Sequence, residues 1–424
     1  MAARALALLA ALAVAMPVGA ESIGGAGAHT FSPISFGADP TGERDSTDAL
    51  QQTIDAALNA THERRCGNIG DPACGAALVD LQQGVFLTSR PLNITGNGGN
   101  WRVCCGSLLA APSFSPRGGH MIAVTGGNNG HQNIALRDLS LDGGLVANGL
   151  FLLNVLRGEV SEIYVVHFLT AGVTVEKGHE VDIHDSFLGQ YIWDEKLQTT
   201  TNASAIVLLG NDHWVHDCVI FSATGIGVLD TGGANGIEGM HIYGVGGLGG
   251  GGAGGYDWIP PTNAAGNVSL ARGGIVLMAW GWQSRVVNNY FDGEDLVIQL
   301  GGTQCCPEAV TGNMFLTESK IVLRPESNDS NVTGLSITGN LFAGLGRCAA
   351  DDAQHEACAS IWVDQDVGSI RSFSGSTVAG NSCRNAFNPP FLGHFSPVLR
   401  RFFTVPSRFP ASWRQDGENG RKMA

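Results

Sequence analysis

Hydrophobic residues beyond about position 100 come in short runs of four to six, rich in Val and Ile and separated by Gly, Asn and Asp. Runs of this length between turn residues are typical of β-strands. Earlier in the chain, Leu50, Ile54 and Leu58 recur every four residues and predict one face of a helix. Asp45 or Ser46 is placed to cap that helix. The pattern therefore predicts one N-terminal helix followed by a long series of strands.

The predicted strands repeat along the chain. Six similar apolar runs begin at Gly149, Gly172, Ala205, Gly225, Gly274 and Asp295. A second set of strands carries Asp or Asn at a recurring corner, at Asp138, Asp185, Asp217, Asn289, Asn313, Asn340 and Asn381. If successive coils stack about 4.8 Å apart, such side chains bond each other along the stack and satisfy the turn backbone. We therefore expect a ladder of Asn side chains at this corner.

A strand repeat with a constant corner and no crossover helices predicts an all-β, right-handed parallel β-helix, in which stacked coils bury a continuous core. A β-sandwich would need hairpin turns every 8–12 residues or so and would not explain the ladder. The short N-terminal helix would cap the open end of the solenoid. We expect a signal peptide at 1–20, a strand and capping-helix region at 21–100, the β-helix at 101–395 and a C-terminal tail at 396–424.

The first twenty residues have the pattern of a secretory signal peptide. Arg4 precedes an apolar stretch that ends near Met16, and Val18-Gly19-Ala20 is a small-residue cleavage site before Glu21. The stretch falls short of the roughly 20 residues that span a bilayer. We therefore expect a secreted, extracellular or cell-wall glycoprotein. Its sequons are Asn59, Asn93, Asn202, Asn267, Asn328 and Asn331.

Charge and cysteine content narrow the function classes. The chain has 24 basic and 38 acidic residues, which gives a formal net charge of −14. A protein with this charge has no general attraction for nucleic acids or anionic membranes. Ten cysteines in an exported chain favour disulfides over metal ligands. Cys66 with Cys74 and Cys348 with Cys358 could each close a loop, whereas Cys218 is expected to be a buried small hydrophobe. The adjacent pairs 104–105 and 305–306 are left unassigned.

Two sets of motifs resemble known proteins. Residues 36–42 followed by 45–50 resemble the opening of the pectate-lyase-like right-handed parallel β-helix superfamily. Gly178-His179-Glu180, Gly210-Asn211-Asp212, and the segments 166–173 and 185–190 resemble plant polygalacturonase-like proteins of pollen tetrad separation. The resemblance covers roughly residues 31–390. It implies a secreted protein that acts on cell-wall polygalacturonan, which that family hydrolyses with carboxylates.

The positions that match the family's usual catalytic residues hold no titrating group here. They are Asn148, Thr170, Ala171, Ser204, Gly227 and Leu229. An inverting glycosidase needs two carboxyl groups about 6.5–9.5 Å apart. An acid or base must therefore come from elsewhere in this chain.

Glu294 and Asp295, at the start of a predicted strand, are the first candidates for that role. Adjacent carboxylates at a coil edge would raise one pKa and make a general acid, and Arg272 would hold a uronate carboxylate. The alternative is a solvated turn. His179 with Glu180 is the second candidate acid/base pair, against a surface turn histidine.

Three functions remain open. The leading one is a secreted polygalacturonase-like glycoside hydrolase without a cofactor. A calcium-dependent pectate lyase would need carboxylates such as Asp292, Glu294 and Asp295 to converge on the ion, with an Arg base for which Arg272 is the candidate. A non-catalytic wall-binding or structural β-helix is the third. In each case we expect a monomer with a polysaccharide partner and with neither a nucleic acid nor a membrane partner.

Overall fold

The computed structural model describes residues 29–62, 76–190, 203–221, 225–243, 273–278, 283–300, 308–316, 319–325, 328, 330–343, 360–364 and 368–384. Strands make up most of the regular structure in these ranges, beside one α-helix and a short 3-10 turn at Pro33–Phe36. Thirty strands form a single sheet and two more form a small separate one, and the pairings between them are parallel. The predicted all-β solenoid is confirmed.

The N-terminal part joins the helix to the first coils. Its elements are β1 (His29–Phe31), β2 (Thr41–Asp45), α1 (Thr47–His62), β3 (Ala77–Asp80), β4 (Val85–Thr88), β5 (Leu92–Gly99), β6 (Trp101–Ala110) and β7 (His120–Asp142). Leu50 and Ile54 are buried, and α1 contacts β1, β3 and β5. Asp45 Oδ1 accepts the Thr47 N–H (2.9 Å), which satisfies a donor at the start of α1. The helix thus covers the first coils, as the sequence predicts.

From β8 onward each coil contributes a strand to each of three faces. The first face contains β8 (Asn148–Leu153), β10 (Ala171–His179), β13 (Ser204–Asn211), β16 (Ile226–Asp230), β19 (Gly273–Leu277), β22 (Leu296–Leu300), β25 (Ile321–Pro325) and β29 (Ile361–Val363). The second contains β11 (Asp182–His184), β14 (Trp214–His216), β17 (Gly236–Glu238), β20 (Arg285–Val287), β23 (Ala309–Thr311), β27 (Ser336–Thr338) and β31 (Thr377–Ala379). The third contains β12 (Phe187–Gly189), β15 (Val219–Phe221), β18 (His241–Tyr243), β21 (Tyr290–Asp292), β24 (Met314–Leu316), β28 (Leu341–Ala343) and β32 (Ser382–Arg384). The remaining strands are β9 (Val155–Val166), which runs along the second and third faces, and the pair β26 (Ser330–Thr333) and β30 (Ile370–Ser374).

Parallel connections of this kind are right-handed because of the strand twist, and the molecule is a right-handed parallel β-helix. Side chains alternate along each strand, so every second residue points into the coil. On the third face Phe291 stacks on Phe315 with ring centroids 4.6 Å apart, and Phe315 stacks on Phe342 at 4.8 Å. These rings are fully buried. Stacking identical side chains at the spacing of the coils fills the interior without gaps.

The corner between the second and third faces carries the predicted Asn ladder. Asn289 Nδ2 donates to Asn313 Oδ1 (3.0 Å), Asn313 Nδ2 donates to Asn340 Oδ1 (2.9 Å), and Asn340 Nδ2 donates to Asn381 Oδ1 (2.9 Å). Each of these four side chains also donates to a backbone carbonyl inside the coil. The ladder is therefore confirmed for Asn289, Asn313, Asn340 and Asn381.

The three Asp residues predicted for the earlier coils of the ladder lie one position before the ladder position in the sequence. Asp138, Asp185 and Asp217 have φ values of 50°, 48° and 51° and share the left-handed position that Asn288 holds in a later coil. Ser186 and Cys218 then occupy the ladder position, and Ser186 Oγ accepts the Ile163 N–H (3.2 Å). The prediction was wrong for these three Asp residues because the corner has two adjacent positions that both favour polar residues.

The structure describes some of the cysteines but neither end of the chain. Cys104 and Cys105 are bonded to each other, and Cys218 is buried with a free thiol, as expected. The predicted pairs Cys66 with Cys74 and Cys348 with Cys358 lie outside the described residues, as do Cys305, Cys306, the signal peptide and the tail. Within the described ranges, no helix has the length and apolar character needed to cross a bilayer.

Candidate functional site

The side of the first face that points away from the coil interior lacks catalytic groups where the resemblance would place them, and most of its apolar side chains are buried. Asn148 is buried, and its side chain accepts the backbone N–H groups of Thr170 (2.7 Å) and Ala171 (3.1 Å), which makes it a structural link between coils. Ala171 pairs with Ser204 in the next coil. The outward row that follows them runs through Thr174, Val207, Leu229, Val276, Val297, Val322 and Trp362. No carboxylate or imidazole stands in this row.

Glu294 and Asp295 lie where the chain enters β22. Glu294 is only 6% exposed, and its N–H donates to Ser319 Oγ (2.9 Å). Asp295 Oδ1 accepts the Lys320 N–H (2.9 Å), while its Oδ2 lies 3.9 Å from Lys320 Nζ. These contacts join neighbouring coils. Arg272, the predicted uronate ligand, lies outside the described residues.

His179 and Glu180 lie at the first corner, the segment that joins the first face to the second in each coil. Glu180 pairs with Arg157 Nε of the preceding coil (3.0 Å). His179 Nδ1 instead lies 3.4 Å from Asp212 Oδ2 of the following coil, and Asn211 Nδ2 donates to the same oxygen (2.7 Å). The structure therefore places His179 beside Asp212 and turns Glu180 towards a different partner.

The His179 and Asp212 pair borders a shallow, open depression of about 630 Å³. Its lining comes from the first corner of successive coils and comprises Lys177, Gly178, His179, Leu209, Gly210, Asn211, Thr231, Gly232, Gly233, Ala234 and Gln283. Leu209 is 41% exposed, an unusual state for a large apolar side chain, and Lys177 is also exposed. The depression thus combines an apolar contact, a cation and an imidazole with a carboxylate partner.

A buried histidine lies beneath this corner. His213 Nδ1 accepts the Val181 N–H (3.2 Å), so its proton sits on Nε2. Burial, with a smaller contribution from the charge of His179, lowers the pKa of His213 to about 4, while Asp212 opposes the change. His213 is therefore neutral at neutral pH.

A second group of ionisable side chains projects from the second face. The rings of His184 and His216 stack with centroids 5.0 Å apart. His216 Nε2 lies 3.1 Å from Asp182 Oδ1, and its Nδ1 lies 2.8 Å from Asp217 Oδ2. Burial would lower the pKa of His216, but the bond to Asp217 and the neighbouring carboxylates outweigh it and raise that pKa. Each imidazole is thus held by the Asp side chain that follows it, since His184 Nδ1 lies 2.9 Å from Asp185 Oδ2 in the same way.

The two candidate regions do not meet. His179 follows a strand of the first face, whereas Glu294 precedes a strand of that face four coils further along. Coils about 4.8 Å apart place these groups roughly 19 Å from each other along the axis. They cannot act on the same bond.

The sequence reasoning missed Asp212 as a site residue, although Asp212 stands in the Gly210-Asn211-Asp212 motif of the polygalacturonase-like resemblance. Its distance of 33 residues from His179 hides the contact. Only the stacking of two coils of unequal length brings the two side chains together.

Comparison with known proteins agrees with the motifs. No family model matches the chain. It is 34% identical over 334 residues to polygalacturonase QRT3 of Arabidopsis thaliana, an alignment that covers 76% of this chain and 62% of that protein. The predicted resemblance to polygalacturonase-like proteins is confirmed. The chain spans less than two thirds of the length of this relative.

Solved structures also align with the chain at low identity. The A-module of the Azotobacter vinelandii mannuronan C-5 epimerase AlgE6 is 14% identical, with a TM-score of 0.45, over 85% of this chain and 100% of that one. A tailspike protein mutant of E. coli bacteriophage HK620, in complex with a pentasaccharide, is 13% identical, with a TM-score of 0.49, over 83% of this chain and 65% of that one.

Proposed function

We propose that the chain is a secreted polygalacturonase-like glycoside hydrolase that acts on a pectic or other uronate polysaccharide. The similarity to polygalacturonase QRT3 over most of the chain carries this proposal. The depression at the first corner supports the proposal, because the side chains that line it suit a charged sugar. An ammonium group binds a uronate carboxylate, and an exposed aliphatic side chain packs against a sugar ring. Lys177 and Leu209 supply these two groups.

The chemistry in this proposal centres on His179. Hydrolysis of a glycosidic bond requires a proton for the leaving oxygen, while a water molecule attacks the anomeric carbon and releases one of its own protons to solvent. An imidazole that bonds a carboxylate at Nδ1 is oriented to exchange a proton through Nε2. The neighbouring Asp212, whose Oδ2 lies 3.4 Å from Nδ1, fixes the orientation of the His179 ring. His179 is therefore proposed as the general acid, with Asp212 as its positioning residue.

The first test is the release of reducing sugar from polygalacturonate by the purified protein. His179→Ala should lower the rate by about 10²–10⁴, the usual contribution of a general acid or base. Glu180→Gln is the matched control, because Glu180 is the adjacent residue but contacts Arg157 instead. Asp212→Asn should lower the rate less than His179→Ala, because this variant keeps the imidazole and loses only the carboxylate beside it. Full activity in the His179→Ala variant would show that His179 is not the general acid.

Glu294→Gln and Asp295→Asn test the competing site at the start of β22. A loss of activity in these variants, with His179→Ala unchanged, would move the catalytic centre there. Both proteins need a thermal melt, because Glu294 is buried and Asp295 links two coils.

A calcium-dependent lyase is distinguished by its product. Lysis creates an unsaturated uronate that absorbs near 235 nm, whereas hydrolysis does not, so the assay is run with and without calcium. Asp292, Glu294 and Asp295, the carboxylates proposed for that ion, do not bring three ligand atoms within 4.8 Å of one another. Absorbance that depends on calcium would replace the hydrolase proposal.

A non-catalytic wall-binding β-helix is the second candidate function. The empty catalytic positions favour it, because Ala171, Ser204 and Leu229 stand where the resemblance places titrating residues. If the purified protein binds uronate polymers but releases no product from any of them, this function replaces the hydrolase.

A further inference from the structure

Trp214 and Arg285 lie just beyond the depression, where the first corner passes into the second face. Trp214 stands two residues after Asp212, and Arg285 stands two residues after Gln283, which lines the depression. Both side chains are exposed, Trp214 to 39%. Two residues of a strand cover about 7 Å, so both side chains are within reach of a sugar chain that lies in the depression.

The two side chains contact each other across Gly236. Gly236 pairs with Trp214 in the preceding coil and with Arg285 in the following one. A β-carbon at Gly236 would lie 3.2 Å from Cδ2 of Trp214, so the indole ring leans over this glycine. Arg285 Cζ lies 4.9 Å from the centroid of the same ring, within the range of a cation–π interaction. The missing side chain at Gly236 thus lets the indole meet a guanidinium from two coils away.

The Arg285 guanidinium has no anionic partner in the part of the chain that the structure describes. Its side chain forms neither an ion pair nor a hydrogen bond with any residue there, and the indole N–H of Trp214 also lacks an acceptor among those residues. A guanidinium that already rests against a ring loses less conformational freedom when it binds a carboxylate. The pair therefore presents a pre-ordered site for an anion.

The carboxylates that surround this pair are held by other side chains. Asp182 lies 3.1 Å from His216 Nε2, Asp212 lies 3.4 Å from His179 Nδ1, and Glu238 accepts a bond from Asn288 Nδ2 (3.4 Å). None of these three is paired with Arg285. Its charge is therefore not neutralised by a direct ion pair with any of them.

Lys177 and Arg285 stand towards opposite ends of the depression. They belong to coils three apart, and the guanidinium leans back over Gly236, so the two cationic groups are roughly 10–14 Å apart along the axis. A pyranose residue is comparable in length to the coil spacing of about 4.8 Å. The two cations therefore match carboxylates two or three residues apart on one uronate chain, whereas a uronate dimer is too short to reach both.

From this geometry we infer that Trp214, Gln283 and Arg285 form a second uronate-binding position, which we call the Arg285 subsite. The guanidinium binds a carboxylate, the exposed amide of Gln283 binds a sugar hydroxyl, and Trp214 is the positioning residue of the guanidinium. The inference rests on the proposed function, since the same uronate chain occupies the depression. It adds that the site favours chains of at least three consecutive uronates.

The length of the bound oligomer provides the test. The full chain is run in the cold through native gels that contain polygalacturonate, and hexagalacturonate or digalacturonate is added as a competitor to give the Kd of each oligomer. Arg285→Gln should raise the Kd for hexagalacturonate about tenfold, the loss expected for one charged hydrogen bond. The Kd for digalacturonate should change less than about twofold, because the dimer is held at the Lys177 end. Arg285→Lys keeps the charge without the forked donors and should give an intermediate Kd.

Two further variants separate positioning and general charge from binding. Trp214→Ala should raise the Kd for hexagalacturonate about threefold, because it frees the guanidinium without removing its charge. Arg137→Gln is the matched control, since Arg137 is an exposed arginine of the second face two coils before Lys177. This variant should bind both oligomers within about twofold of the wild type.

Three results would overturn the inference: a wild type that does not bind hexagalacturonate, an Arg285→Gln variant that binds it as tightly as the wild type, or equal weakening for both oligomers. Equal weakening in Arg137→Gln would also overturn it, since only the net charge would then matter. Failure of the proposed hydrolysis is a separate observation. A protein that releases no product, but whose Arg285→Gln variant loses affinity for hexagalacturonate alone, would keep the subsite and lose the hydrolase.

Discussion

Glu308 is the most unusual side chain of the coil interior. It is 2% exposed, and its Oε2 has no hydrogen-bond partner among the residues that the structure describes. Burial, together with the nearby carboxylate of Asp230, raises the pKa of Glu308 to about 8. Asp230 itself accepts bonds from Ser284 Oγ (2.7 Å) and Asn235 Nδ2 (2.7 Å), and burial raises its pKa as well. Glu308 is therefore protonated at neutral pH in the folded chain.

This shift makes stability depend on pH. Below about pH 4.5, Glu308 is protonated in both the folded and the unfolded states and imposes no penalty. As the pH rises towards about 8, only the unfolded chain ionises, and the free energy of unfolding falls by at most about 1.4 kcal/mol per pH unit. Glu308→Gln removes this dependence. The variant should gain stability over the wild type steadily between pH 5 and pH 8, as measured by melting temperature in matched buffers.

The control for this prediction is Glu238→Gln, which replaces a carboxylate on the outward side of the second face. Its melting temperature should follow the wild type at every pH. If the curve of Glu308→Gln also runs parallel to the wild type, Glu308 is ionised and paired in the folded chain.

At the scale of elements, the strands are too short to be stable alone. Most strands of the second and third faces have three residues, with one side chain buried between two outward ones. Their stability comes from stacking on the coils above and below. The Asn ladder reinforces this stacking, because each Asn oxygen accepts the backbone N–H of the preceding coil's ladder residue as well as its amide.

Asn313→Leu should break the ladder in its middle. The backbone N–H of Asn289 and the carbonyl of Val286 would lose their partners inside the protein. A buried polar group without a partner costs about 1–3 kcal/mol, so the free energy of unfolding should fall by about that amount per group. Urea denaturation followed by circular dichroism measures the change.

Asn128→Leu serves as the comparison, because Asn128 is exposed on β7 and the same exchange there should change stability by less than about 0.5 kcal/mol. A denaturation midpoint for Asn313→Leu that matches Asn128→Leu would show that the ladder bonds contribute nothing to stability.

At the scale of the whole molecule, the solenoid offers several exposed sites for glycans. Asn59, Asn93 and Asn328 are exposed, and each begins a sequon. We predict that the secreted protein starts near Glu21 and carries glycans at some of these positions. Intact-mass measurement before and after enzymatic deglycosylation should show both features. A mass that still includes residues 1–20 would contradict the predicted cleavage, and an unchanged mass after deglycosylation would contradict the glycans.

The amino-acid sequence by itself determined the class of fold. Two kinds of signal were enough for this. The helix pattern of Leu50 and Ile54 depends only on neighbouring residues, whereas the short apolar runs and the Asn residues of the later corners recur in the same surroundings in each coil. Each of them therefore predicts structure without knowledge of distant contacts. Burial of Cys218 was also predictable, because its neighbours are apolar.

The tertiary structure alone decided which residues meet across coils. Coils of unequal length stack His179 on Asp212 and direct Glu180 towards Arg157, and no sequence period encodes these offsets. The one-residue shift of Asp185 and Asp217 from the ladder depends on backbone conformation at the corner. The burial of Glu308 likewise follows from its place in the stack. Contacts between coils set these features, because a side chain about 4.8 Å away in space can be dozens of residues away along the chain.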